Sequence, residues 1–428
     1  MKSLIISSFC KKILNVRQIY WILLGFSISY FYFFIFPIFL EHQQMQFPIY
    51  IPKGEVIGMD LAAILSFTRS WFIDKQYVGS YPPFFRLFFA PLTLLSFSWA
   101  YRLLSLLTLI SFAGSVFILP LLLESNRRIS PLLILTTVTG FLSYGLQLEL
   151  ERGQFNVIAV FLCFLSIWIF YFHSKYSNLA LVLFTISVQL KIFPLIFIVM
   201  FIRDWKDRRQ NLKTLLIFSI TNFVFLFILG PKVFISFVTG IIDYSKDHQV
   251  WAINHSVFSF IEWFNKISIE NGHRFFGQFA NIAMLQKTIL ILVISLFLLI
   301  LMKSYQRKLI GINPGLLIAC TISALLIPAV SHDYTLALLP GPAAFFLGSD
   351  EYWGESGTPL LRVLKIVFLT IFSTLYASTL FSFATKPLLL QNNFISLFLM
   401  LVIITILTFV TKTRSATSDL YPPVELEI

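Results

Sequence analysis

Five polar clusters in this apolar chain carry residue types that could do chemistry. The first is Gly58-Met59-Asp60. An aspartate opening a helix can accept backbone N–H bonds as an N-cap. It can also be a general base, kept ionised by the helix N-terminus and able to take a proton from a hydroxyl. The two roles are compatible. The second is Tyr81-Pro82-Pro83, a rigid turn whose Tyr81 could line a pocket. The third gathers Glu149, Glu151, Arg152, Gly153, Gln154 and Asn156. Read as a solvated loop, these would form local ion pairs; such polar density at the end of a membrane span favours a site. The fourth is Gln189 with Lys191, inside an apolar run. A lysine there is costly unless paired, and it could pair with Glu149 or Glu151 or bind a lipid phosphate. The fifth joins Asn254-His255 to Ser331-His332-Asp333-Tyr334. Histidines in loops are usually just solvated, but only three residues around His332 separate two apolar runs. The spacing of a metal site is absent.

The elements that position these clusters are read from composition. The chain has 428 residues, 57% hydrophobic and 12% charged. A soluble domain carries roughly twice that share of charge, so the apolar excess faces lipid and other helices. The net charge of +12 sits in short patches between apolar runs, such as Arg127–Arg128, Arg203 to Arg209 and Lys412 with Arg414. That distribution orients helices by the positive-inside rule and argues against a nucleic-acid partner. The three cysteines, Cys10, Cys163 and Cys320, have neither metal-ligand spacing nor an obvious disulfide partner. The first apolar stretch lacks a small-residue cleavage site and reads as a retained signal anchor.

The expected fold class is therefore an all-α polytopic membrane protein, with about ten full spans plus a re-entrant hairpin. Spans are placed near 20–40, 101–123, 129–148, 156–172, 213–230, 287–302, 313–329, 334–348, 361–383 and 391–410. The run 179–202 has positive charge on both sides and is interrupted by Lys191 and Pro194, which suggests two half-length helices rather than one crossing. Two large outer segments, 41–100 and 240–286, stand between spans. In the first, Leu61, Ile64, Leu65, Thr68, Trp71 and Phe72 share one helical face, as in a helix lying along the membrane interface. Residues 1–411 read as a single membrane-embedded domain and 412–428 as a disordered cytoplasmic tail. Both termini are expected to be cytoplasmic, which puts four of the five clusters on the non-cytoplasmic side.

In this order the clusters resemble the polyprenol-phosphate-dependent glycosyltransferases of family 87, among them bacterial mannosyl- and arabinofuranosyltransferases. The matching stretches are Gly58-Met59-Asp60, Tyr81-Pro82-Pro83, Glu151-Arg152-Gly153-Gln154-Phe155-Asn156 and Lys191-Ile192-Phe193-Pro194 with the charged stretch from Arg203 to Arg209. They continue with Asn254-His255-Ser256 and with Ser331-His332-Asp333-Tyr334 before Leu338-Leu339-Pro340. The resemblance covers roughly residues 20 to 410. It implies a C-type glycosyltransferase membrane fold in a bacterial inner or plasma membrane. It implies a polyprenyl-phosphate sugar donor that enters from the lipid, a glycolipid or glycan acceptor, and inverting transfer. The base would be the acid of the first outer loop, which here is Asp60, and His332 matches a position near the site.

Charge on a leaving phosphate needs cationic or hydrogen-bonding groups, and Arg152, Lys191, His255, Arg274 and His332 are candidates. A phosphate leaves without protonation more readily than a sugar alkoxide, so one carboxylate can suffice where a glycosidase uses two. Other C-type transferases often carry two adjacent acids in the first outer loop and use a divalent metal. Asp60 stands alone between Met59 and Leu61. No cofactor is predicted, and the metal question stays open at Asp333. A transporter or flippase of lipid-linked sugars would place polar residues at mid-membrane, often in repeated halves; here they cluster at span ends. A polysaccharide polymerase or ligase would lean on outer-loop Arg and His rather than an early Asp. A non-enzymatic partner subunit would leave Asp60 a mere cap. The sugar, the acceptor and the oligomeric state are not written in the sequence.

Overall fold

The computed structural model describes residues 57–74, 80–120, 136, 139–246, 249–270, 282–306, 311–349, 352, 359–377 and 392–410. The span expected at 20–40, the tail 412–428 and Arg274 lie outside the described residues. The described chain is helical, with one isolated β-bridge between Asn254 and His332. In chain order the helices are α1 (Met59–Asp74), α2 (Phe84–Phe89), α3 (Phe97–Ala113), α4 (Tyr144–Arg152), α5 (Asn156–Phe172), α6 (Ser177–Leu190) and α7 (Arg208–Leu226). Then come α8 (Pro231–Lys246), α9 (Val257–Glu270), α10 (Ile282–Gln306), α11 (Pro314–Leu326), α12 (Pro340–Gly348), α13 (Pro359–Ala377) and α14 (Phe394–Val410).

Among the described residues, Phe97–Phe117 and Ile282–Gln306 are each long and apolar enough to cross a membrane. Two bent pairs pass the same test jointly: α4 with α5, at 116°, and α7 with α8, at 101°. Outward faces such as Leu212, Leu216, Ile220 and Phe223 on α7, or Leu360, Val363 and Ile366 on α13, are exposed and apolar. Contiguous apolar surface of that kind needs lipid or protein against it.

The main core forms around α11, where every side chain is buried, with α5, α6, α10 and α14 about it. A second core joins α1, α2 and α3 to the start of α5. Leu61, Ile64 and Leu65 meet Phe85, Phe89 and Phe155 there. The expected buried face of α1 is present over Leu61, Ile64, Leu65 and Thr68. Phe72 is exposed, and Trp71 turns instead to a small cluster with Val233 and Phe237 of α8.

Three sequence expectations change in the structure. Asp60 is not an N-cap. Helix α1 begins at Met59, Gly58 supplies the carbonyl that takes the Ala62 N–H, and the Asp60 side chain turns away to other partners. Glu149, Glu151 and Arg152 are not in a loop. They end α4, which Ser143 caps at its start, and only residues 153–155 connect it to α5. The run 179–202 does break at Lys191, whose backbone is extended. The second half, however, is a nine-residue 3-10 segment, Phe193–Phe201, with Pro194 near its start. Proline offers no N–H for an α-helical bond and its preset φ suits a helical first turn, so α6 cannot run on.

Two left-handed glycines close the α4–α1 junction. Gly153 (φ 69°) ends α4, with the Gly153 N–H on the Leu150 carbonyl and the Gln154 N–H on the Glu149 carbonyl. This is the six-to-one closure of a helix that ends on a left-handed residue. Gly58 (φ 76°) donates its N–H to the Glu151 carbonyl at 2.7 Å. A Cβ on Gly153 would lie 2.9 Å from Leu61 Cβ and 3.2 Å from Gly58 Cα. Gly230 (φ 93°) is left-handed too but has nothing within 4 Å of a Cβ. Gly230→Ala is therefore expected to cost only the backbone term, about 1–2 kcal/mol. Gly153→Ala should cost several kcal/mol, because it also forces α1 off α4. Thermal melts of the two variants in detergent check this; equal shifts would refute the junction argument.

Candidate active site

The α4–α1 junction puts Asp60 in front of Arg152 and Gln154. Gln154 Nε2 donates to Asp60 Oδ2 at 2.6 Å, and Arg152 Nε lies 3.6 Å from the same oxygen. Among the described residues, Asp60 Oδ1 takes no hydrogen bond, and the Asp60 side chain keeps 22% of its surface open. The other end of the Gln154 amide accepts from Lys191 Nζ at 3.0 Å. Lysine can only donate and the carboxylate only accept, so the amide orientation is fixed by its two neighbours. Lys191 Nζ also donates to the Tyr81 hydroxyl at 3.3 Å and lies over two rings, 4.7 Å from the Tyr81 centroid and 4.3 Å from that of Phe155. Tyr81 in turn stacks on Phe85 with centroids 4.3 Å apart. Burial, and behind it the Asp60 and Glu149 charges, raise the Tyr81 phenol. It is a neutral hydrogen-bonding group.

Glu149 is fully buried and does not pair with Lys191 directly. Its Oε2 accepts from Asn156 Nδ2 at 2.7 Å and its Oε1 from the Val157 N–H at 3.1 Å. It thus holds the first turn of α5 across the 116° bend. Gln189 is similarly engaged with Asn222 of α7 at 2.7 Å. Glu151 is buried, and its carbonyl holds Gly58.

The fifth cluster forms the opposite wall. Gly145 of α4 packs against the backbone of the 3-10 segment Asp333–Leu338, where a Cβ would meet the Ala337 nitrogen at 2.6 Å. That contact brings the segment after His332 against the helix that carries Arg152. Behind His332 lies a buried polar network. His255 Nδ1 meets Asp333 Oδ1 at 3.1 Å, and His255 Nε2 meets Ser331 Oγ at 3.0 Å and Thr335 Oγ1 at 3.2 Å. Asn393 Nδ2 donates to Asp333 Oδ1 and Asn392 Nδ2 to the Asn254 carbonyl. The Asn254 side-chain oxygen accepts from the Ser331 and Ser256 N–H groups. Asn254 and His255 are wholly buried and line neither cavity described below, so as phosphate ligands they are displaced to a supporting position.

His332 itself faces inward. Its Nε2 meets Gln249 Oε1 at 2.9 Å, and its ring contacts Tyr334 and Trp251. Burial first, and then His255, Arg152 and Lys191 around it, push the imidazole down to about 3. His332 is therefore a neutral hydrogen-bonding group at ordinary pH, not a cation.

These walls enclose two adjoining cavities. The larger, about 560 Å³, is lined by Asp60, Arg86, Arg152, Gln154, Gln249, Trp251 and other side chains. The smaller, about 370 Å³, is lined by Lys191 and Asn156 and by apolar groups including Ile192, Phe193, Ile196, Leu325, Ile327 and Val330. They share Ser80, Tyr81, Tyr244, His332 and Tyr334. Among the described residues no three His, Cys, Asp or Glu side chains converge. Arg86, Tyr244, Gln249 and Trp251 line the larger cavity without having been singled out in the sequence. Arg86 offered a signal, being a cation in the Phe-rich run 84–89.

A carboxylate and a set of cations thus surround a two-chambered cavity on a scaffold of apolar helices. The chain matches a family model described as Glycosyltransferase family 87 over residues 80–331. It belongs to that family and is a glycosyltransferase. It has no match among curated proteins.

The His332 environment gives a stability expectation. An unfolded histidine titrates near 6.5. Between that value and about 3 the unfolded chain binds a proton that the folded site refuses. Stability should therefore fall as pH drops below about 6.5, by at most about 1.4 kcal/mol per pH unit from this group. His332→Gln removes the term and keeps an amide partner for Gln249. Its melting temperature should fall less between pH 7 and pH 5 than that of the unaltered protein. Coincident acid profiles would show that His332 titrates normally.

Proposed function

We propose that this glycosyltransferase moves a sugar, a mannose-like hexose or a pentofuranose, from a polyprenyl-phosphate donor to a glycolipid or glycan acceptor. In this reading residues 1–411 form one membrane-embedded domain of a bacterial inner or plasma membrane. Both termini are cytoplasmic and the cavities open on the non-cytoplasmic face, as the positive patches of the sequence favour. The observation that carries the reading is the junction of the two cavities. An apolar groove ends at a cation, Lys191, and that cation is one amide away from the carboxylate of the polar chamber. A lipid-linked sugar phosphate needs that order: hydrocarbon, then a positive charge, then the reacting carbon, then a base.

The reaction is one displacement. The acceptor hydroxyl oxygen bonds to the anomeric carbon as the bond from that carbon to the phosphate oxygen breaks, which inverts the centre. The hydroxyl proton passes to Asp60. The bond pair leaves with polyprenyl phosphate, whose added negative charge is met by Lys191 and the Tyr81 hydroxyl. Stabilising the charge where it develops is the largest electrostatic lever such a site has. Arg152 and Gln154 hold the Asp60 Oδ2 oxygen, leaving Oδ1 for the hydroxyl. Neutral His332 contributes hydrogen bonds from the shared wall.

Asp60→Asn keeps the size and the helix start but is a poor base. Transfer of radiolabelled sugar from polyprenyl-phosphate donors should fall about 10²–10⁴-fold. If that variant transfers normally, Asp60 is not the base. If the unaltered protein moves no sugar from any polyprenyl phosphate, the donor assignment fails. Lys191→Met should raise the donor KM about tenfold or more, because a charge-assisted bond to phosphate is lost. An effect on acceptor KM alone would place Lys191 on the wrong substrate.

A further inference from the structure

Trp251 is 51% exposed, yet it lines the larger cavity beside Asp60 and Arg152. It does not line the apolar groove. Its one ring contact among the described residues is with His332, at 5.9 Å and 45°. An interfacial tryptophan that only anchors a protein in the headgroup region has no reason to line the same polar chamber as a carboxylate. The segment that carries it is also held firmly. Gln249, two residues earlier, adopts φ 42°, a left-handed conformation that costs a non-glycine residue of order 1 kcal/mol or more. The Gln249 carbonyl accepts from Asn254 Nδ2 at 3.1 Å and Ser259 Oγ at 3.2 Å, and its side chain meets His332. The Trp251 carbonyl takes the Asn254 N–H at 3.1 Å. A strained residue pinned from three sides fixes the backbone that carries an otherwise open aromatic ring.

We infer that Trp251 is the platform on which the acceptor's sugar ring stacks, so the acceptor is a pyranose-bearing glycolipid or glycan rather than a hydroxyl on a non-sugar alcohol. A pyranose has one face of C–H groups, apolar and slightly positive, which suits the negative face of an aromatic ring. Its hydroxyls point around the rim, where Asp60, Gln249 and His332 supply polar partners. Stacking on Trp251 presents one rim hydroxyl to Asp60. The placement on the acceptor side rests on the proposed function above, because it takes the apolar groove as the donor's. Gln249 is a positioning residue that acts through Trp251 and His332.

The test uses the full chain in nanodiscs and methyl α-mannopyranoside, methyl α-glucopyranoside and methyl α-galactopyranoside as probes, with glycerol as the sugar-free control. Saturation-transfer NMR should show contact at ring C–H protons for at least one glycoside and none for glycerol. Trp251→Ala should weaken that glycoside about tenfold, and Trp251→Phe no more than about threefold. In transfer assays Trp251→Ala should raise acceptor KM about tenfold and leave donor KM alone. No glycoside contact above glycerol, an affinity indifferent to Trp251→Ala, or a change in donor KM alone would overturn the platform. Normal transfer by Asp60→Asn would instead overturn the base assignment, while the binding results stood.

Discussion

The site depends on one close approach, that of Gly58 to Gly153. The end of α4 and the start of α1 can meet because Gly153 carries no Cβ to strike Leu61 and Gly58, while the bare Gly58 lets Phe97 and Tyr101 of α3 close in, and both glycines accept left-handed backbone. The Gly58 N–H on the Glu151 carbonyl then fixes the register of the two helices. Everything polar follows from that register. Asp60 comes two residues after one glycine, and Gln154 directly after the other. Their 2.6 Å hydrogen bond is a consequence of helix termini that cannot meet any other way. The Tyr101 hydroxyl adds a second donor to the Leu150 carbonyl, which already takes the Gly153 N–H, and so ties α3 to the closed end of α4.

The opposite wall uses a different device. Residues 254–256 and 331–335 are brought together by a network of side-chain and backbone hydrogen bonds, most of them fully buried. A buried polar group without a partner costs of order 1–3 kcal/mol, so a network in which most groups are paired has few alternative arrangements; among the described residues Asp333 Oδ2 has no partner. The network holds His332 and Tyr334 by the backbone on either side of Asp333. Asn392 and Asn393, at the start of α14, tie the network to the main core. The walls are thus set by different means, one by steric fit and one by hydrogen bonding; Gly145 of α4 packs them together at Ala337, and the cavity is the space between them.

Much of this was legible in the sequence, and the parts that were not have physical reasons. Lys191 stands out because a lysine in an apolar run must have a purpose, and the break at Lys191 followed from Pro194. The ordered clusters were enough to indicate the glycosyltransferase family. Glu149 and His255 looked like substrate ligands, since an acid and a histidine near a site invite that reading. Sequence cannot tell a group that faces a cavity from one that faces another side chain three residues deeper. Gln249 carried no signal at all, because a left-handed glutamine has none of the glycine or asparagine chemistry that marks such positions. Trp251 was not singled out in the sequence either, and only its cavity distinguishes it.

Gln154 keeps the Asp60 carboxylate and the Lys191 ammonium apart. Were Lys191 and Asp60 in direct contact, each would neutralise the other. A pair 4 Å apart gains about 4 kcal/mol at an effective dielectric of about 20, and a substrate would have to break that pair before using either member. The amide of Gln154 accepts from the lysine on one side and donates to the carboxylate on the other. It satisfies both ions without cancelling either. In the proposed reaction a bound phosphate takes over a lysine donor and an incoming hydroxyl reaches Oδ1, while Arg152 and Gln154 stay on Oδ2 and no Lys191–Asp60 pair has to be dismantled. A glutamine is well suited to this place: it is neutral, it carries a donor and an acceptor at fixed separation, and its orientation is dictated by the charges it separates. Replacing it by a charged residue would collapse the arrangement toward one ion or the other, and an apolar residue would leave both ions to seek each other.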